Sequence, residues 1–68
     1  MKPLSGKELI RILETAGWQV IRIHGSHHIL MKSGHTERIS VPVHGNQPLK
    51  IGLLKHLLKI AGIDVSEV

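Results

Sequence analysis

The apolar residues of this chain change period twice, and that change dictates the order of its elements. Leu9, Ile12, Leu13 and Ala16 recur at i, i+3, i+4 and i+7, one face of a helix. From Trp18 to Val43 the spacing drops to two, the signature of half-buried strands. Leu53, Leu54, Leu57, Leu58 and Ala61 then return to helical spacing. A chain with this pattern orders itself α-β-β-β-α.

The boundaries come from local chemistry. Ser5 and Glu8 have capping-box spacing, in which each side chain satisfies a backbone N–H of the other, and they open a helix over Gly6 to Ala16. Gly17 suits the left-handed terminator, with Trp18 packing back on Leu13. A first strand is expected from Trp18 to Ile23, with Trp18, Val20 and Arg22 on one side and Gln19, Ile21 and Ile23 on the other. Gly25-Ser26 is a good type II′ hairpin pair, because glycine supplies the positive φ at the first turn position. A second strand follows over His27 to Lys32, then a turn at Ser33 to Thr36. A third strand is expected from Glu37 to Val43. Pro42 cannot donate to a ladder, so that strand belongs at the sheet edge or frays there. After the polar loop His44 to Pro48, a second helix is expected from Leu49 to Ala61, closed by Gly62 with Ile63 against Leu58.

An antiparallel meander of three strands with both helices on one face buries every apolar stripe. That is an α+β fold with the layout of the double-stranded-RNA-binding domain, spread over residues 1–68 as a single domain. At 68 residues, without Phe or Tyr and with one Trp, the core is aliphatic and small. Such a chain has no room for an elaborate cofactor pocket, and no cofactor is expected. The absence of cysteine removes disulfides and thiolate metal sites. The N-terminus has no apolar signal segment, and no apolar run is long enough to span a membrane. A cytoplasmic protein with no membrane partner is expected.

Charge points to a polyanion. Residues 1–63 hold all nine Lys and Arg against only Glu8, Glu14 and Glu37, and Asp64 and Glu67 in the tail bring the net charge to +4. Lys55, His56 and Lys59 line the polar side of the second helix without an acid among them, and Lys50 falls in its first turn. Arg22, Lys32 and Arg38 add charge on the strands. With almost no aromatic residues, base stacking is not on offer, so RNA contacts would run to the backbone.

The chemistry-bearing stretch is Gly25-Ser26-His27-His28. Adjacent strand residues point to opposite faces. His27 shares a side with Ile29 and Met31 and so leans toward the apolar face, whereas His28 shares a side with Leu30 and Lys32. A neutral imidazole accepts the proton of a ribose 2′-hydroxyl, whose oxygen then attacks the adjacent phosphodiester without metal or cofactor. Gly25 and Ser26 leave room for a phosphate to reach the amide N–H groups of the turn. Read as plain structure, His27 caps the core edge and His28 is a surface residue. His24, His27 and His44 do not form a specific ligand spacing and have no neighbouring carboxylate, so no metal site is expected.

Taken together, the Ala16-Gly17-Trp18 helix end, Gly25-Ser26-His27-His28-Ile29, Val41-Pro42-Val43-His44 and the closing Lys59-Ile60-Ala61-Gly62-Ile63 form a fairly specific set. On these motifs, over nearly the whole chain, the sequence resembles the HicA toxins, or YcfA-like mRNA interferases, of prokaryotic type II toxin–antitoxin systems. The resemblance implies a metal-independent endoribonuclease that cleaves mRNA and arrests translation. It implies a HicB antitoxin partner that covers the histidine. The family's catalytic histidine follows the Gly-Ser pair, which is His27 here. Some members keep a histidine one place later, which is His28, and both stay open. His44 is the candidate for a second proton-transfer group. Ile51 and Leu53 depart from the proline and threonine frequent in the family at the start of the second helix. The alternative is a non-catalytic RNA-binding module of the same fold. A homo-oligomer and a heteromeric toxin–antitoxin complex are the assemblies to test.

Overall fold

Ser5 starts the first helix through two reciprocal hydrogen bonds. Its N–H donates to Glu8 Oε1 at 2.9 Å, and the Glu8 N–H donates to Ser5 Oγ at 3.2 Å. In the computed structural model, which describes residues 2–68, this helix is α1, Gly6–Thr15. Its buried face is Leu9, Ile10 and Leu13, with Ile12 and Ala16 at the margin. The stripe is therefore rotated slightly from the expected one, with Ile10 inside.

Gly17 has φ +102°, and the Trp18 N–H reaches back to the Leu13 carbonyl at 2.9 Å while the Gly17 N–H reaches Glu14 at 3.0 Å. This is the Schellman pattern. It reverses the chain into β1, Gln19–His24, which pairs antiparallel with β2, His27–Met31. β3, Ile39–Pro42, pairs antiparallel with β2 on its other side, giving the order β1-β2-β3. β3 is an edge strand and Pro42 is its last residue, so the missing N–H costs little. It is shorter than Glu37 to Val43.

The second helix, α2, spans Ile51–Ala61. Lys50 is its extended N-cap residue rather than part of its first turn. The same Schellman bonds close it: Gly62 at φ +73°, its N–H on Lys59 at 3.1 Å and the Ile63 N–H on Leu58 at 3.0 Å. A 3-10 turn, Val65–Glu67, ends the chain behind a second capping box, formed by Asp64 and Glu67.

The core is one cluster on one face of the sheet: Leu9, Ile10 and Leu13 of α1, Leu54, Leu57, Leu58 and Ala61 of α2, and Trp18, Leu30, Ile39 and Val41. Both helices therefore cover the same face. Their N-termini are tied together, since the Leu49 N–H donates to the Leu4 carbonyl at 2.7 Å and Ser5 bridges Pro48. The start of α1 also presses on the end of β3, because any Cβ at Gly6 would collide with the Pro42 carbonyl. Both helix N-termini thus gather at the end of the sheet where β2 begins.

Candidate active site

Gly25 has φ +62°, and among the described residues none other than glycine has positive φ, so the two-residue turn has the sign pattern of type II′. His24 and His27 flank it as a directly opposed pair. The Ser26 carbonyl accepts from the Val43 N–H at 2.7 Å, which ties the turn to the segment leaving β3. His44 is the next residue after that bond.

Register assigns the faces. Opposed residues in antiparallel strands share a side. Val20, Leu30 and Ile39 form one row on the helix side, and Ile23, His28 and Val41 form the next. The other side carries Arg22, Ile29 and Ser40 in one row and His24, His27 and Pro42 in another.

This corrects the expected placement of the two histidines. His28, with the fully buried Leu30, faces the helices, and His27, with Ile29 and Met31, faces the open side. The reason is the partner strand: Ile39 and Val41 of β3 are both fully buried, and they select Leu30 and His28 as their row mates. His27 is exposed, and its Nδ1 lies 3.3 Å from Ser40 Oγ. His28 is half-buried, and its Nδ1 is buried without a partner. The alternation expected in β1 also breaks. A bulge between Val20 and Arg22 inserts Ile21, so Val20 faces the core while Arg22 turns to the open side.

The open face thus brings together Arg22, His24, His27 and Ser40, with Gly25 and Ser26 at its rim. It does not collect all the cations. Lys32 follows the far end of β2, about 17 Å of extended strand from His27, and its stem lies over Gly17. Lys55 and Lys59 are exposed on α2, behind the opposite face of the sheet. Lys50 sits at the N-terminus of α2, on the same end of the molecule as the turn. On that end a cleft of about 330 Å³ is lined by Ser5, Lys7, Glu8, Arg11 and Asn46. Sequence reasoning does not single out Ser40, and it weighs His24 only as a metal ligand. Ser40 was findable as the polar position between two buried alternates. His24 was findable as the other flank of a two-residue turn.

The fold and this face define an α+β domain of the α-β-β-β-α type, with an exposed histidine pair on an uncovered sheet surface. Residues 6–63 match the family described as the HicA toxin of bacterial toxin–antitoxin systems, and the chain belongs to that family. A chain in a solved structure of a HicA3 and HicB3 toxin–antitoxin complex is 40% identical, with a TM-score of 0.73, over 87% of this chain and 94% of that one. No curated protein matches the chain with significance. Among the described residues, no helix is long and apolar enough to cross a membrane.

Proposed function

We propose that this HicA-family chain is an endoribonuclease that acts as one domain, cleaves mRNA in the cytoplasm and so arrests translation, with a HicB-like antitoxin as its partner. The observation that carries this reading is His27. It follows Gly25-Ser26, is exposed on the open face, and has Nδ1 held by Ser40. When Nδ1–H donates to Ser40 Oγ, Nε2 carries the lone pair. That nitrogen takes the 2′-hydroxyl proton, and O2′ attacks the adjacent phosphorus. The turn amides and Arg22, on the same face, are suited to the phosphate oxygens. His44 is a less direct candidate for the second proton transfer, because it follows β3 in a loop.

The antitoxin proposal rests on family membership and on the HicA3–HicB3 pairing of the related structure. The test is incubation of purified protein with RNA in EDTA, wild type beside His27→Ala. Positioned acid–base groups contribute about 10²–10⁴-fold, so the variant should lose at least about 100-fold in rate and keep its circular dichroism. A fully active His27→Ala protein would overturn the assignment.

One observation favours the alternative, a non-catalytic RNA-binding module: Lys55 and Lys59 lie away from His27. That reading predicts salt-sensitive binding without cleavage and indifference to His27→Ala.

A further inference from the structure

In the endoribonuclease reading the leaving oxygen needs a proton, and His44, in the loop after β3, is not on the sheet face that carries His27. Attack by O2′ breaks the P–O5′ bond, and the departing alkoxide is a poor leaving group unless it is protonated as the bond breaks. The open face supplies a second imidazole at the right place. His24 is the last residue of β1 and pairs directly with His27 across the Gly25-Ser26 turn. Opposed residues have Cβ atoms about 4.5–5.5 Å apart on the same side of the sheet. Both rings are exposed. The Ser40 contact ties the His27 ring to β3, on the side of β2 away from β1. Among the paired positions of this face the other charged group is Arg22, two residues before His24, and Arg38 lies just outside β3, two residues before Ser40. Among the described residues paired on this face there is no carboxylate.

We infer that His24 is a catalytic residue, the acid that protonates the leaving 5′-oxygen while His27 accepts the 2′-proton. This rests on the endoribonuclease reading. The balance closes without any other reactant. The O2′–H proton passes to His27, O2′ bonds to phosphorus, the P–O5′ bond breaks, and O5′ takes the His24 proton. The products are a 2′,3′-cyclic phosphate and a 5′-hydroxyl end. The two histidines then exchange protons through solvent to reset.

The experiment compares wild type, His24→Ala and His27→Ala on two short RNAs, one ordinary and one with sulfur bridging phosphorus to C5′ at a single site. A thiolate leaves without a proton. The expected result is a loss of about 100-fold for His24→Ala on ordinary RNA, with the rate restored to near wild type on the sulfur-bridged RNA. His27→Ala should be inert on both. The pH–rate profile of His24→Ala should also lose its alkaline descending limb on ordinary RNA, because the acid no longer needs to stay protonated. A wild-type rate for His24→Ala, or a loss the sulfur substrate does not relieve, overturns the role of His24 and leaves the endoribonuclease reading standing. A wild-type protein that cleaves neither substrate overturns the endoribonuclease reading itself. Both side chains are exposed, and thermal denaturation of the variants checks that the fold is retained.

Discussion

Ser40 Oγ lies 3.3 Å from His27 Nδ1, joining the middle of β3 to the first residue of β2 on the uncovered side of the sheet. The contact limits rotation of the His27 ring, and when Nδ1–H is the donor it leaves the Nε2 lone pair free. A neutral hydrogen bond of this kind contributes about 1 kcal/mol, or roughly fivefold in rate. Ser40→Ala should therefore slow RNA cleavage about fivefold, with little change in thermal stability because Ser40 is exposed. An unchanged rate in a single-turnover assay would remove Ser40 from the site.

His28 makes the opposite case. It sits in the row Ile23, His28, Val41 on the helix side, half-buried, with an orphaned buried nitrogen. A buried polar atom without a partner costs about 1–3 kcal/mol. His28→Leu removes that atom and keeps the side-chain volume, so Tm should rise, at about 4–8 °C per kcal/mol for a domain of this size. RNA cleavage should persist. Loss of cleavage in a folded His28→Leu protein would move the base from His27 to His28.

These two residues also mark where sequence reading succeeds and stops. The Ser5–Glu8 box, the Gly17–Trp18 and Gly62–Ile63 helix ends and the Gly25 turn are local devices whose donors and acceptors lie within a few residues of one another. Each was legible, and each formed. The face of β2 was not. Ile29 and Met31 on one side outnumber Leu30 on the other, and alternation alone favours the wrong side. The choice belongs to Ile39 and Val41, some ten residues downstream, because a strand's buried face follows from its register. The Ile21 bulge is likewise a property of the β1–β2 pairing rather than of either segment. It explains why Arg22 joined the histidine face; Lys32 stays off that face because it alternates with Leu30 and His28 past the end of β2.

Two glycines in helices should respond to alanine with opposite signs. At Gly6 the added Cβ meets the Pro42 carbonyl, a backbone atom that cannot step aside. Overpacking of this kind costs about 1–3 kcal/mol. At Gly52, in the first turn of α2, the added Cβ meets nothing within 4 Å, and alanine gains about 0.5–1 kcal/mol of helix preference. Denaturant titration should show Gly6→Ala destabilised and Gly52→Ala stabilised. A tolerated Gly6→Ala would mean that α1 does not press on β3 as described.

Acid should weaken the start of α1. The Ser5 backbone N–H, and secondarily its hydroxyl, hold the Glu8 carboxyl below its ordinary pKa of 4.5. A carboxylate depressed in the folded state contributes stability that is complete above the unfolded value and is lost as pH falls through the folded one. The difference in Tm between wild type and Glu8→Ala should stay constant from neutral pH down to about 4.5 and shrink below it. A gap that persists unchanged at pH 2 would assign the effect to helix propensity instead of the ionised cap.

The lysines of α2 lie behind the face that carries His27, so they should matter for long RNA and not for short. Lys55 and Lys59 are exposed one helical turn apart, and α2 packs its leucines against the opposite side of the sheet. A strand seated on His27 must pass around the molecular edge to reach them. Each phosphate contact on single-stranded nucleic acid contributes a salt slope of about 0.7. The double variant Lys55→Gln, Lys59→Gln should bind a long RNA more weakly, with a slope of log K against log salt flatter by about 1.4. It should cleave an RNA of a few nucleotides at the wild-type rate. Equal damage on the short substrate would require both lysines to act at the histidine site, and an unchanged slope on the long one would leave them as a solvated helix face.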